Sequence, residues 1–284
     1  MQTVLIDGKK IRDNILLEIK SEVQKLPFAP LFCDILVGSD PVSSSYVRLK
    51  EKFANSVGIK FRSAEFSDAI TIDELVKEIE NLNRVPHMCG IIVQLPLPSH
   101  IDKDSVLNAI SESLDVDCLG KNASDKFFNG TAVIGYPTAL ACMKILDSLN
   151  LDLSNKNIVV LGTGRLVGSP VSYLLRQKGL KVESINSTTE NKEDLIKNAD
   201  VIVSAMGKGK FLKGDMVKEG VIVVDAGTSE EDGGIVGDVD LESMYGVASF
   251  MTPTPGGVGP VTVAMLLNNV LMCAKNKVES NLEN

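Results

Sequence analysis

Ile158-Val159-Val160-Leu161-Gly162-Thr163-Gly164-Arg165-Leu166-Val167-Gly168-Ser169-Pro170 joins a continuous apolar run to a glycine cluster and then to a helix start. This is the pattern of a buried parallel strand that delivers a phosphate to a helix N-terminus. The glycines let backbone N–H groups approach an anion with no Cβ in the way, and the helix dipole favours the negative charge. The spacing is G-x-G-x-x-x-G, one residue longer than the usual dinucleotide fingerprint. An ordinary strand-to-helix turn therefore stays open beside a nucleotide site.

The surrounding sequence repeats strand and helix patterns. Downstream, Lys181 to Ile185, Ala199 to Ser204 and Val221 to Asp225 read as the successive strands of a dinucleotide-binding domain. Upstream, helical spacing over Asp7 to Leu26, Ser43 to Ser56, Thr71 to Asn83 and Asp102 to Ser111 is interleaved with short apolar runs. These runs are Leu31 to Gly38, Ile59 to Phe66 and Cys89 to Pro98. The class is α/β with parallel sheets. Leu114 to Gly135 has weak periodicity and reads as loop, and Pro137 to Leu149 reads as a helix. Thr252 to Pro260 breaks the pattern before an apolar helix from Val261 to Lys277. That helix is expected to return to the first domain. The expected division is residues 1–137 plus 261–284 for one domain and 138–260 for the dinucleotide-binding one; 284 residues suffice for two cores.

Composition narrows the function. A formal charge of −8 and a pI near 5.0 leave no excess of Lys and Arg to neutralise phosphates, which argues against nucleic acid as the partner. Five cysteines without C-x-x-C spacing read as buried free thiols of a reducing cytosol. His87 and His100 read as loop residues, and with no Cys/His pairing no metal site is expected. No signal peptide and no uninterrupted apolar stretch of about 18 residues is visible, so a cytoplasmic protein without a membrane partner is expected.

Several residues have patterns suited to chemistry. Tyr46 and Lys50 are four apart, on one helix face just after a strand end. A partly desolvated lysine beside a phenol suits proton transfer, whereas the bland reading is an ordinary solvated face, as for Arg48 and Lys52. Gln94 is a lone amide among apolar neighbours and needs a partner, either a structural network or a ligand. Asp115 and Asp117 bracket Val116, with no third ligand to make a metal site. Pro255 to Pro260 is a rigid loop whose glycines permit close approach to a ligand, or a tight domain connection. Asp225-Ala226-Gly227-Thr228 ends a strand where a doubly wound sheet lines its cofactor.

Taken in order, Leu5 to Lys9, Ile35 to Pro41, Tyr46 to Lys52, Gly90 to Pro98, Asp115 to Asp117 and Pro253 to Val263 resemble the bifunctional methylenetetrahydrofolate dehydrogenase/methenyltetrahydrofolate cyclohydrolase family over nearly the whole chain. The resemblance implies a folate-site α/β domain, completed by the C-terminal helix, and a Rossmann-type domain. It implies hydride transfer from 5,10-methylenetetrahydrofolate to a nicotinamide, then hydrolysis of the methenyl product to 10-formyltetrahydrofolate. By it Lys50 is the general acid/base, Tyr46 orients the folate and Lys50, Gln94 tunes Lys50, and Asp117 holds the pterin. Ser43, Pro255, Gly256 and Gly257 join Tyr46 and Asp117 at the substrate. Gly162, Thr163, Gly164, Arg165, Val167, Gly168, Ser187, Gly227 and Thr228 bind the cofactor, NADP with NAD as the alternative. A homodimer without metal is implied.

The chain also departs from that pattern. Cys118 stands where the family has glycine, and Pro137-Thr138-Ala139-Leu140-Ala141 replaces a Cys-Thr-Pro-x-Gly segment. The family's Gly-Arg-Ser turn is Gly162-Thr163-Gly164 here, with Arg165 displaced by two. The strand ending Ile185-Asn186-Ser187 carries neither an acid for a ribose hydroxyl nor an arginine for a 2′-phosphate. Tyr-x-x-x-Lys also occurs in short-chain dehydrogenases, but there the glycine turn precedes the pair, and here it follows by more than a hundred residues. A catalytically lapsed folate- or nucleotide-binding relative is the competing reading. Lys50→Met is expected to abolish hydrolysis and, for a helix-face lysine, to leave folding intact.

Overall fold

The computed structural model describes residues 2–231 and 233–282, with the side chains of all but 41, 42, 281 and 282. From the N-terminus run β1 (Val4–Leu5), α1 (Gly8–Val23), β2 (Leu31–Val37), α2 (Pro41–Ser56), β3 (Lys60–Phe66), α3 (Ile72–Asn83), β4 (Met88–Val93), α4 (Lys103–Ala109) and α5 (Lys121–Phe128). Then come α6 (Pro137–Ser148), β5 (Ile158–Leu161), α7 (Gly168–Gln177), β6 (Val182–Ile185), α8 (Lys192–Lys197), β7 (Val201–Ser204) and β8 (Ile222–Asp225). The chain closes with β9 (Ser229–Glu231), β10 (Gly234–Val236), α9 (Leu241–Met244), β11 (Phe250–Met251) and α10 (Val258–Leu282).

Two compact units result, Asn14–Pro137 with Val263–Asn284, and Met1–Asp13 with Thr138–Thr262. The first unit holds a three-stranded parallel sheet in the order β3-β2-β4. Its central strand β2 is buried on both faces, which is why Leu31 to Val37 reads as a nearly continuous apolar run. Ile19, Phe32, Ile35, Leu75, Ile79 and Ile91 are fully buried in this unit; each contributes about 1.5–3 kcal/mol over an exposed position. α3 is stopped at its start by a capping box, in which Thr71 and Glu74 satisfy each other's backbone N–H groups.

The second unit is a six-stranded parallel sheet in the order β1-β11-β8-β7-β5-β6. The chain leaves β5 for β6 on one side and returns to β7 on the other. This makes a topological switch point at the C-terminal ends of β5 and β7, where ligands bind in such sheets.

By packing, residues 1–13 group with the second unit, where β1 pairs with β11. Two exposed residues cannot signal a strand that exists only through a partner 246 positions away, as Val4 opposite Phe250 shows. Two further readings are corrected. Leu114 to Gly135 contains α5, which packs Ala123 and Phe127 into the core and sets Phe127 edge-on to Tyr136 at 5.1 Å. Its N-cap is Gly120 with no side-chain hydrogen bond, so the usual start signal is missing. α10 begins at Val258, three residues earlier than read, and by length and composition Val258–Ser280 is apolar enough to span a membrane. Most of it is core: Val270, Leu271, Cys273 and Ala274 are buried, and the buried Asn269 amide donates to Val116 O at 2.8 Å and Gly135 O at 2.6 Å.

Candidate active site

In the first unit the α2 positions Ser43, Val47, Lys50 and Ala54 are buried, a helical stripe turned onto the sheet. Asp40 caps the helix, accepting the Ser43 N–H at 2.7 Å. Lys50 falls within the stripe, only 7% exposed, so the solvated-face reading fails for it while Arg48 and Lys52 are exposed. Tyr46, one turn earlier, is 43% exposed.

Two groups meet the Lys50 ammonium. It donates to Gln94 Oε1 at 2.7 Å and pairs with Asp34 Oδ2 at 2.6 Å. Gln94 follows the last residue of β4, so it projects from the strand's C-terminal end and does not sit inside the strand. Asp34 sits in the middle of β2 at 0% exposure, and sequence reasoning missed it although a charge inside an apolar strand was the signal. Burial pushes its carboxyl above the usual range, against the opposing pull of Lys50.

The segment after β4 supplies further acids. Asp115 is buried and accepts the Gly120 N–H through Oδ2 at 2.6 Å, which makes it an anchor of its own turn. Cys118, in the family's glycine position, has φ 61, the left-handed conformation that favours glycine. Asp117 is half-buried between them. Desolvation pushes its carboxyl up to about 7, with the Lys50 charge pulling it down and Asp115 and Asp34 pushing it up. Among the described residues no group of three His, Cys, Asp or Glu could hold a metal ion.

In the second unit the glycine turn is tightly built. Gly162 has φ +96, and a Cβ there would lie 2.5 Å from Ala205 O on the turn after β7. A Cβ on Gly168 would lie 1.9 Å from Gly162 O. A Cβ on Gly164 would meet nothing within 4 Å, so the turn is open on that side. Thr163, Gly164, Arg165 and Leu166 are exposed, and α7 starts after Val167 with no side-chain cap. At this helix start the Ser169 N–H donates to Gly164 O at 3.0 Å and Pro170 has no N–H, so it is the exposed turn itself, beside an open glycine, that fits a pyrophosphate. Ser187 and Thr228 are exposed past the ends of β6 and β8, while Gly227 is buried and donates to Asp225 Oδ1 at 3.1 Å. Asn186 Oδ1 accepts from the N–H and hydroxyl of Thr188 at 2.9 and 2.8 Å, so no carboxylate stands at this strand end. Pro255, Gly256 and Gly257 also lie in this unit, in the loop before α10.

Residues 6–117 match the catalytic domain of the tetrahydrofolate dehydrogenase/cyclohydrolase family, and residues 136–278 its NAD(P)-binding domain. The chain belongs to that family. It is 41% identical over 276 residues to the Bifunctional protein FolD of Halothermothrix orenii, covering 95% of this chain and 98% of that protein. The crystal structure of the bifunctional methylenetetrahydrofolate dehydrogenase/cyclohydrolase of Campylobacter jejuni superposes with a TM-score of 0.92 at 39% identity, covering 97% of this chain and 99% of that one. The Trypanosoma brucei enzyme, solved with NADP and an inhibitor, gives 0.90 at 34% identity over 98% and 99%.

Two acids with raised pKa values carry a stability consequence. Asp117 and Asp225, the latter pushed up to about 6 by burial, have folded pKa values above the unfolded value of 3.8. The folded state therefore holds more protons, and the stability these groups contribute is lost as pH rises from about 4 through 6 for Asp225 and 7 for Asp117. Each contributes up to about 1.4 kcal/mol per pH unit within its window. The urea midpoint of Asp117→Asn should fall less steeply than wild type between pH 5 and 7.5; equal slopes would remove Asp117 from this account.

Proposed function

We propose that this tetrahydrofolate dehydrogenase/cyclohydrolase oxidises 5,10-methylenetetrahydrofolate with NADP and hydrolyses the methenyl product to 10-formyltetrahydrofolate in one-carbon metabolism, with Lys50 as the acid/base of the hydrolysis. The observation that carries the assignment of Lys50 is its burial beneath α2 with Nζ held by Gln94 and Asp34. A bound nicotinamide supplies the hydride acceptor for the first activity. In the second, water adds to the amidinium-like carbon, and Lys50 moves the protons that let the ring open. Gln94 holds the ammonium by its amide oxygen. Asp117, half-buried and close to neutral pH in its titration, can accept or share a proton with the pterin's polar edge. Tyr46 offers a phenol one turn from Lys50 to orient the folate, and Ser43 lies on the same helix.

In the second unit, Gly162, Thr163, Gly164, Arg165, Val167 and Gly168 would hold the pyrophosphate at the start of α7, with Ser187, Gly227 and Thr228 along the strand ends. The preference for NADP rests on the family, one of whose members was solved with NADP; the end of β6, with neither an acid nor an arginine, favours neither cofactor. The five free buried thiols support a cytoplasmic location, and a homodimer belongs to the same reading. Purified protein should reduce NADP with a kcat/KM several-fold above that for NAD, measured side by side with 5,10-methylenetetrahydrofolate. A strong NAD preference would overturn the cofactor choice. No change at the methenyl absorbance with either cofactor would favour a lapsed folate-binding relative.

A further inference from the structure

Asp34 is the one charged side chain on β2. In the sheet register it stands between Ser63 of β3 and Ile92 of β4. Its Oδ1 has no hydrogen-bond partner, and the ion pair with Lys50 is its only polar partner shown among the described residues. An ionised carboxylate in such a place is costly to desolvate, and apolar residues of similar volume at both positions of a buried ion pair are often as stable or more so. Stability therefore gives no reason for an acid in the middle of this strand.

What the carboxylate does supply is direction. A lysine ammonium has three donors on a long flexible stem. Gln94 Oε1 takes it from the end of β4 and Asp34 Oδ2 from β2, at 2.7 and 2.6 Å. With two partners fixed by adjacent strands of one sheet, the remaining N–H has a narrow range of directions. We propose that Asp34 is a positioning residue for Lys50, aiming its remaining proton at the substrate and holding the side chain charged until that proton is given up. This rests on the reading of Lys50 as the acid/base of hydrolysis.

The other charges around the pair act more weakly. Asp117 feels both Lys50 and Asp34, and Asp115 feeds into the same cluster. From β3, Arg62 acts on the neighbouring Cys33 thiol. Tyr46 lies one turn back on α2. Among the described residues, Asp34 alone touches Nζ with a full charge.

Asp34→Asn keeps the shape and an amide oxygen and removes the charge. In the full-length protein, its kcat for methenyltetrahydrofolate hydrolysis should fall about tenfold, with KM within about twofold. Its pH–rate profile should move to lower pH, because an opposite charge beside an ammonium favours the charged form and the variant removes it. Asp34→Glu, which keeps the charge, should retain the wild-type profile even where kcat falls. If Asp34→Asn does not fold, Asp34→Thr, a good strand former, gives the same reading. A folded uncharged variant with wild-type kcat and profile overturns the proposal, as does a loss of kcat with the profile unmoved, since that is what mere repacking produces. Wild-type protein unable to hydrolyse the methenyl substrate would instead overturn the reading of Lys50, and is seen in the control arm before any variant is compared.

Discussion

Lys50→Met should lower methenyltetrahydrofolate hydrolysis by about 10²–10⁴-fold, the range for removing a general acid/base, and should also cost about 3–5 kcal/mol of stability. A lysine on a solvated helix face would produce only the first effect. Here Lys50 is 7% exposed and Asp34 is fully buried, so methionine leaves a carboxylate in the core without its counter-ion. The sign of the pH dependence separates this from ordinary repacking. Burial already raises the Asp34 carboxyl and Lys50 pulls it down; without Lys50 it rises further, so the folded variant takes up a proton. A group whose folded pKa is raised loses its stabilising contribution as pH rises. The deficit of Lys50→Met against wild type should therefore be larger at pH 8 than at pH 5 in urea or thermal unfolding. Adding Asp34→Val should return most of the stability, because an apolar pair replaces an ionic one in a central strand, and should return none of the activity. An unchanged unfolding midpoint for Lys50→Met at pH 8 would show that the pair is not structurally coupled, and activity in the double variant would remove Lys50 from the chemistry.

Legibility followed the range of the interactions. β2, β4, β5 and α3 read correctly because an apolar run or a capping box is a local property of a few neighbouring residues. β1 and β11 were invisible because each is two residues long and exists only through pairing across the chain. α5 was missed for want of a capping side chain and because it is eight residues long. At the candidate site the Tyr46/Lys50 spacing was readable, but it left a solvated face as open as a buried lysine, and only the packing of α2 on the sheet decides for burial. The partner of Lys50 was the part that spacing could not supply. Asp34 lies on another element, and only the packing of α2 on β2 brings the two together. Cys118 illustrates the reverse case, where a departure from the family's glycine keeps a left-handed backbone, φ 61, despite its Cβ.

Gly168→Ala should abolish the dehydrogenase while methenyltetrahydrofolate hydrolysis, which consumes no cofactor, continues. The added Cβ would stand 1.9 Å from Gly162 O, a backbone atom that no rotamer change can move aside. The turn after β5 must open to admit it, and the amides at the start of α7 move with it. Displacing positioning groups by about 1 Å costs roughly 10²-fold in rate, so NADP reduction should fall at least that far, with weaker NADP binding by calorimetry. Some stability should be lost as well, since the helix-to-strand packing at Gly168 is disturbed. Gly164→Ala separates the two effects. Its Cβ meets nothing within 4 Å, so the fold should be unaffected, yet the methyl would occupy the open side of the turn where the phosphates would lie. Wild-type unfolding together with an NADP affinity reduced tenfold or more is the expected result for Gly164→Ala. Wild-type affinity in both variants would mean that the turn from Gly162 to Gly168 is a packing device of the sheet and that the cofactor's phosphates lie elsewhere.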